Sequence, residues 1–180
     1  MLLIAAPVAG LIVGGGILWR RWRWEKLFDV EIQKAAARYR IDPLLVKAVI
    51  WQESKFNPNA KGRAGEIGLM QVQEIAAEEW AESEHLKDFT HAQIWEPTRN
   101  IHAGAWYLSR VMKRYTNTDN PLPYALADYN AGRAHVLRWN KGAAQTNSQA
   151  FLAQMDYPGT RQYALNVMDR YRYYREHTQK

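Results

Sequence analysis

An apolar stripe that ends in a carboxylate constrains this chain more than any other feature. The run from Ile41 to Glu53 places Leu45, Val46, Val49 and Ile50 on one face at helical spacing. Asp42 stands at the N-cap and Pro43 at the first helical position, so a helix is predicted from Pro43 to about Glu53. Glu53 lies four residues beyond Val49 and eight beyond Leu45, which continues the buried stripe. A carboxylate among apolar neighbours, near the negative end of a helix dipole, is predicted to have a raised pKa. A carboxyl group still protonated near neutral pH is what a general acid requires. The plainer alternative is a solvated helix-end residue or half of a surface ion pair.

The other periodic segments are also helical. Leu27, Val30, Ile32, Ala35, Ala36 and Tyr39 predict an amphipathic helix up to Arg40. Gln71 to about His85 and Asn100 to Tyr115 follow the same period, with Asn100 read as an N-cap and Gly104 as a site of close packing. Tyr124 to Tyr129 and Thr160 to His177 complete the set. Between them, Lys55 to Gly68 is rich in Asn, Pro and Gly and reads as a loop, with room for one small hairpin between Lys61 and Leu69.

The first segment reads differently. Leu2 to Trp19 is an uncharged stretch of 18 residues, about 27 Å as a helix and close to the thickness of a bilayer core. It is expected to be an uncleaved transmembrane anchor, with a cleaved signal peptide as the alternative. Arg20-Arg-Trp-Arg-Trp24 would form an interfacial collar. The positive-inside rule alone would place the remainder of the chain in the cytoplasm. The expected organisation is therefore 1–19 anchor, 20–40 juxtamembrane collar and amphipathic helix, and 41–180 catalytic domain. With 180 residues and no cysteine, disulfides, thiolate metal sites and a Cys nucleophile are excluded. The net charge of +6 favours an anionic partner. The basic residues are scattered and no nucleic-acid-binding motif is present, so nucleic acid is not expected as that partner.

Four stretches go further. Trp51-Gln-Glu-Ser-Lys-Phe-Asn-Pro-Asn-Ala60 with Gly65-Glu-Ile-Gly-Leu-Met-Gln71 resembles the first motif of the lytic transglycosylases of the soluble-transglycosylase type. These are bacterial peptidoglycan-cleaving enzymes with a goose-type lysozyme-like fold. Glu96 to Leu108, Ala127-Asp-Tyr-Asn-Ala-Gly132 and Thr160-Arg-Gln-Tyr163 resemble the remaining motifs, in the same order. The resemblance spans roughly Ile41 to Tyr171. It implies a mainly α, lysozyme-like helical domain behind the N-terminal transmembrane helix, facing the periplasm from the bacterial inner membrane. Peptidoglycan glycan strands would be the partner, with no metal and no organic cofactor.

By the same resemblance Glu53 would be the catalytic acid/base. Ser54 would be structural or stand near the sugar, and Gly68, Leu69, Met70 and Gln71 would line the cleft floor. Tyr129 and Asn130 would flank the cleft, and the Tyr163 hydroxyl would contact the catalytic carboxylate. Plain core filling is the alternative for Met70. A two-carboxylate glycosidase needs a second Asp or Glu. In the family one carboxylate suffices, because the substrate's N-acetyl group stabilises the cation and the 6-hydroxyl closes a 1,6-anhydro ring.

Two positions depart from the family pattern. Glu66 stands where a small residue is usual. It is expected to face solvent; alternatively it reaches the cleft as a second carboxylate and lets water attack, as in a lysozyme. Gly159 stands where a Glu often precedes the Thr-Arg pair, so a local salt bridge should be missing. A noncatalytic cell-wall tether remains the competing class of function.

Overall fold

The computed structural model describes residues 24–178. Its helices are α1 (Asp29–Tyr39), α2 (Pro43–Ser54), α3 (Glu74–Ser83), α4 (Pro97–Lys113), α5 (Leu122–Ala131), α6 (Arg133–Trp139), α7 (Ser148–Gln154) and α8 (Pro158–Thr178), with short 3₁₀ turns at His91–Trp95 and Gly142–Gln145. The expected anchor at 1–19 lies outside the described residues. Among the described residues no helix is long and apolar enough to cross a membrane.

The centre of the domain is α2. Its start matches the sequence signature: Asp42 accepts a hydrogen bond from the Leu44 amide at 2.8 Å, and Pro43 occupies the first helical position. Leu45, Val46, Val49 and Ile50 are buried as expected, but so are Lys47 and Ala48 between them. A helix buried nearly all round sits inside a domain rather than on its surface. Both α1 and α8 pack on α2. The Lys47 ammonium, nearly buried, is tied to Asp29 of α1 at 2.5 Å.

α8 runs antiparallel to α2. Tyr163 meets Glu53 near its N-terminal end, and further on the Tyr171 hydroxyl donates to Asp42 at 2.6 Å. Within α1, Ile32, Ala35, Ala36 and Tyr39 are buried, whereas Val30 and, just before the helix, Leu27 are exposed. That helix shares its core with α2 and α4, so part of the segment expected as a juxtamembrane unit at 20–40 is built into the same body as 41–178.

The loop between α2 and α3 contains no strand. Two isolated antiparallel bridges, Lys61 with Ile67 and Ile67 with Val72, stand where a hairpin was allowed. The third helix starts at Glu74 rather than Gln71, because Gln71 adopts a left-handed backbone with φ of 47°. Short helices α6 and α7 lie between Tyr129 and Thr160, where the sequence reading expected no helix.

Asn100 corrects the sequence reading. The N-cap of α4 is Glu96, whose carboxylate accepts from the amides of Thr98 at 2.9 Å and Arg99 at 2.8 Å. Pro97 comes next, the same acid-proline signature that opens α2. Asn100 is instead buried inside the first turn and braces the loop. Its Oδ1 accepts from the Met70 amide at 2.8 Å, and its Nδ2 donates to the carbonyls of Ile67 at 2.8 Å and Ile94 at 3.1 Å. Gly68 lies so close that a Cβ there would stand 2.4 Å from Asn100 Nδ2. Gly104 admits Met70 in the same way, with a virtual Cβ 2.6 Å from the Met70 Cβ. Close packing was expected at Gly104, and its neighbour is the loop.

Asn100→Ala would strand the Met70 amide and the Ile94 carbonyl in the interior, while the Ile67 carbonyl keeps its bond from the Val72 amide. It should destabilise the domain by about 3 kcal/mol, since one buried unsatisfied group costs about 1–3 kcal/mol. Urea unfolding followed by circular dichroism measures this.

Candidate active site

Glu53 reaches the wall of an open cleft of about 430 Å³. The last turn of α2 aims it there, and the chain then leaves the helix abruptly. Lys55 and Phe56 both have left-handed φ, 51° and 63°, and the Phe56 side chain is buried. The residue keeps an opening to the cleft while protein surrounds its carboxyl group. Burial pushes the Glu53 carboxyl up to about 7. The hydrogen bond from Tyr163 works against that rise, Glu66 adds to it, and Lys55 opposes it more weakly.

Tyr163 donates its hydroxyl to Glu53 Oε1 at 2.6 Å. Its own phenol is driven well up, first by burial and then by the neighbouring Glu53 charge. Tyr163 therefore stays a donor throughout the physiological range and fixes one carboxyl oxygen. Tyr129 is half-buried on the cleft wall, its hydroxyl donating to the Met70 carbonyl at 2.9 Å. Burial, followed by Glu53, raises that phenol well above its ordinary range too. Asn130 is exposed at the rim, next along the chain.

The loop residues divide into two groups. Gln71 lines the cleft, and its amide donates to the carbonyls of Gly68 at 2.9 Å and Ala60 at 3.2 Å. Leu69 and Met70 are fully buried, and Gly68 is buried beside them. The side chains of Leu69 and Met70 are core, not cleft floor, which is the filling role allowed for Met70. The Ser54 hydroxyl is engaged with the Leu69 carbonyl at 2.8 Å and the Ile50 carbonyl at 3.2 Å. Ser54 thus ties α2 to the loop and lies outside the cleft lining.

Glu66 does not face solvent as expected. It lines the cleft with Glu53, half-buried, and its Oε2 accepts from the Ala64 amide at 2.9 Å. Gly62 makes this possible, since a Cβ there would stand 2.1 Å from Glu66 Oε2. Gly159 lies in the first turn of α8 with open space beside it.

Sequence reasoning missed Tyr107, Arg114 and Arg133, which also line the cleft. For Tyr107 a signal existed: it stands three residues beyond Gly104 and so shares its helix face. Tyr107 packs on Tyr129 with ring centroids 5.6 Å apart.

A helical body that holds one desolvated carboxylic acid against an open cleft is what fold and site define, and it is the lysozyme-like arrangement. The family model described as the transglycosylase SLT domain matches residues 31–152. The chain belongs to this family. A membrane-bound lytic murein transglycosylase F of Desulfosudis oleivorans is 39% identical over 108 residues, covering 58% of this chain and 22% of that protein. A soluble lytic murein transglycosylase of Salmonella typhimurium is 34% identical over 166 residues, covering 89% of this chain and 25% of that protein. The chain thus spans about a quarter of the length of these relatives. Among solved structures, a complex of the 70-kDa soluble lytic transglycosylase with bulgecin A superposes with a TM-score of 0.79 at 26% identity, covering 96% of this chain and 28% of that one.

The raised pKa has a thermodynamic consequence. Glu53 titrates near 4.5 when unfolded and near 7 when folded. Between those values the folded state holds more protons, so stability falls as pH rises through the window. Glu53→Gln removes that loss. The variant should be more stable than the parent by about 3 kcal/mol near pH 8, with the gain vanishing below about pH 4.5. Thermal unfolding across that range checks it.

Proposed function

We propose that this chain is a peptidoglycan lytic transglycosylase that cleaves the β-1,4 bond between N-acetylmuramic acid and N-acetylglucosamine. The single observation that carries the reading is the desolvated Glu53 carboxyl on the cleft wall, held by Tyr163. The family membership and the names of the relatives support the substrate class.

In this mechanism protonated Glu53 gives its proton to the glycosidic oxygen as the bond to C1 breaks. The substrate's acetamido group stabilises the cation, and a hydrogen bond to it from Asn130 or Tyr129, both of which line the cleft, fits that role. Glu53, now ionised, takes the proton of the muramic 6-hydroxyl as that oxygen bonds to C1. The acid is regenerated, a 1,6-anhydro ring forms, and no water is consumed. Tyr163 remains protonated through both steps and keeps the carboxyl oriented. Gln71 is placed to hydrogen-bond sugar hydroxyls, and Ser54, Gly68, Leu69 and Met70 act by holding the loop in place.

Attachment to the inner membrane through Leu2–Trp19, with the domain in the periplasm, belongs to the same proposal. It is supported by the uncharged stretch and by a relative named as membrane-bound.

The place of Glu66 beside Glu53 favours one second reading, a muramidase in which Glu66 activates water. Mass spectrometry of peptidoglycan digested by the full chain separates the two. Transglycosylation yields muropeptides with 1,6-anhydro ends, absent with Glu53→Gln. Products heavier by one water would establish the hydrolase, and no products from either protein would return the chain to a tether.

The acid form of Glu53 starts the reaction, so kcat/KM should fall as pH rises through about 7. Glu66→Gln removes a neighbouring charge that raises Glu53 and should move that limb to lower pH. A limb that stays in place would show that the two carboxylates do not interact.

A further inference from the structure

On the side of α2 turned away from the cleft lies a second hollow that the proposed chemistry does not use. Trp51 and Glu53 are two residues apart, about 200° around the helix, so they point to opposite sides of it. Trp51 and Lys55 of α2, with Asn166, Arg170 and Tyr173 of α8, line an open groove of about 450 Å³. It shares no lining residue with the cleft. Rings and cations alternate along it. The Lys55 ammonium stands 3.2 Å from the centre of the Trp51 ring. The Arg170 guanidinium lies 4.6 Å from that ring and 4.9 Å from the Tyr173 ring, which is exposed.

The chain enters the domain beside this groove. Glu25 pairs with Arg170 at 3.6 Å, which ties the entering segment to α8. Just beyond, Leu27 and Val30 are 69% and 67% exposed, so neither contributes to the core. Trp19, the last residue of the uncharged stretch, stands five positions before Trp24. However they are folded, five residues span no more than about 18 Å. With the uncharged stretch in a bilayer, the surface around Glu25 is held within that distance of the headgroups. Contact with lipid is then intramolecular in effect, and weak contacts suffice. Trp and Tyr rings settle at the headgroup level, and Lys and Arg meet lipid phosphates there. The groove offers both kinds of side chain.

Resting on the membrane attachment proposed above, we infer that the groove lies on the surface of the membrane that holds the anchor. Leu27 and Val30, at the point of entry, reach into the same interface. The cleft, on the other side of α2, then opens away from the bilayer, and a glycan strand meets Glu53 without displacing lipid.

Site-specific quenching in vesicles tests this. The full chain has no cysteine, so one introduced thiol takes one fluorophore. Tyr173→Cys marks the groove, and Ile75→Cys, exposed on the cleft, marks the opposite side. Each labelled chain is reconstituted into vesicles of phosphatidylcholine and phosphatidylglycerol carrying nitroxide headgroups, and flotation reports attachment. Lipid should quench the label at 173 at least about threefold more than the label at 75. Aqueous iodide should give the reverse order. Equal lipid quenching at the two positions, or more at 75, overturns the inference while leaving the anchor in place. A label at 173 shielded from iodide yet untouched by lipid also overturns it, and assigns the groove to a second copy of the chain. A chain that does not float with the vesicles has no anchor, and the attachment reading then fails together with this inference.

Discussion

Everything about the site depends on one carboxyl group being removed from water while remaining reachable. Glu53 meets both demands because α2 is buried nearly all round and ends at the cleft wall. Desolvation is the largest influence on its protonation, and the Tyr163 hydrogen bond limits how far it goes. Without Tyr163 the carboxyl would be more acid-retaining but less fixed in orientation. The antiparallel packing of α8 on α2 thus sets chemistry as well as stability, since the helix that stabilises α2 also carries the phenol that orients its acid.

A second dependence runs through the loop between α2 and α3. That loop has no strand, only two isolated bridges and a few turn hydrogen bonds, so side chains on other elements help to fix its shape. Asn100 binds the Met70 amide and the Ile67 carbonyl, Ser54 binds the Leu69 carbonyl, and Tyr129 binds the Met70 carbonyl. The Met70 amide and the carbonyls of Leu69 and Met70 are thereby satisfied from three different helices. The result places Gln71 and Glu66 on the cleft while sending Leu69 and Met70 into the core. The glycines at 62, 68 and 104 matter for the same reason, because each stands where a side chain would collide with this arrangement.

Much of the helical framework was legible because it rests on local signals. Asp42-Pro43 and the apolar spacing after it gave both the start and the face of α2. The same acid-proline signature at Glu96-Pro97 marks the start of α4, and placing the cap at Asn100 overlooked it. Leu27 and Val30 fit the helical period yet are exposed, because periodicity does not say where the covering elements end. Short α6 and α7 have too few turns for a period to stand out. The site was less legible. That Tyr163 meets Glu53 across 110 positions came only from resemblance to the family, since no local pattern joins residues so far apart. Glu66 was misplaced because its turn toward the cleft depends on the missing side chain at Gly62, a tertiary fact. Arg114 and Arg133 carried no motif at all.

The proposed chemistry stands or falls on the protonation of Glu53. The most direct measurement is the carbon-13 chemical shift of its side-chain carboxyl as a function of pH, assigned by comparison with Glu53→Gln. A titration centred near 7 is the predicted result. A midpoint near 4.5, the ordinary carboxylate value, would show that the group is solvated and would remove the physical basis for its role as the acid.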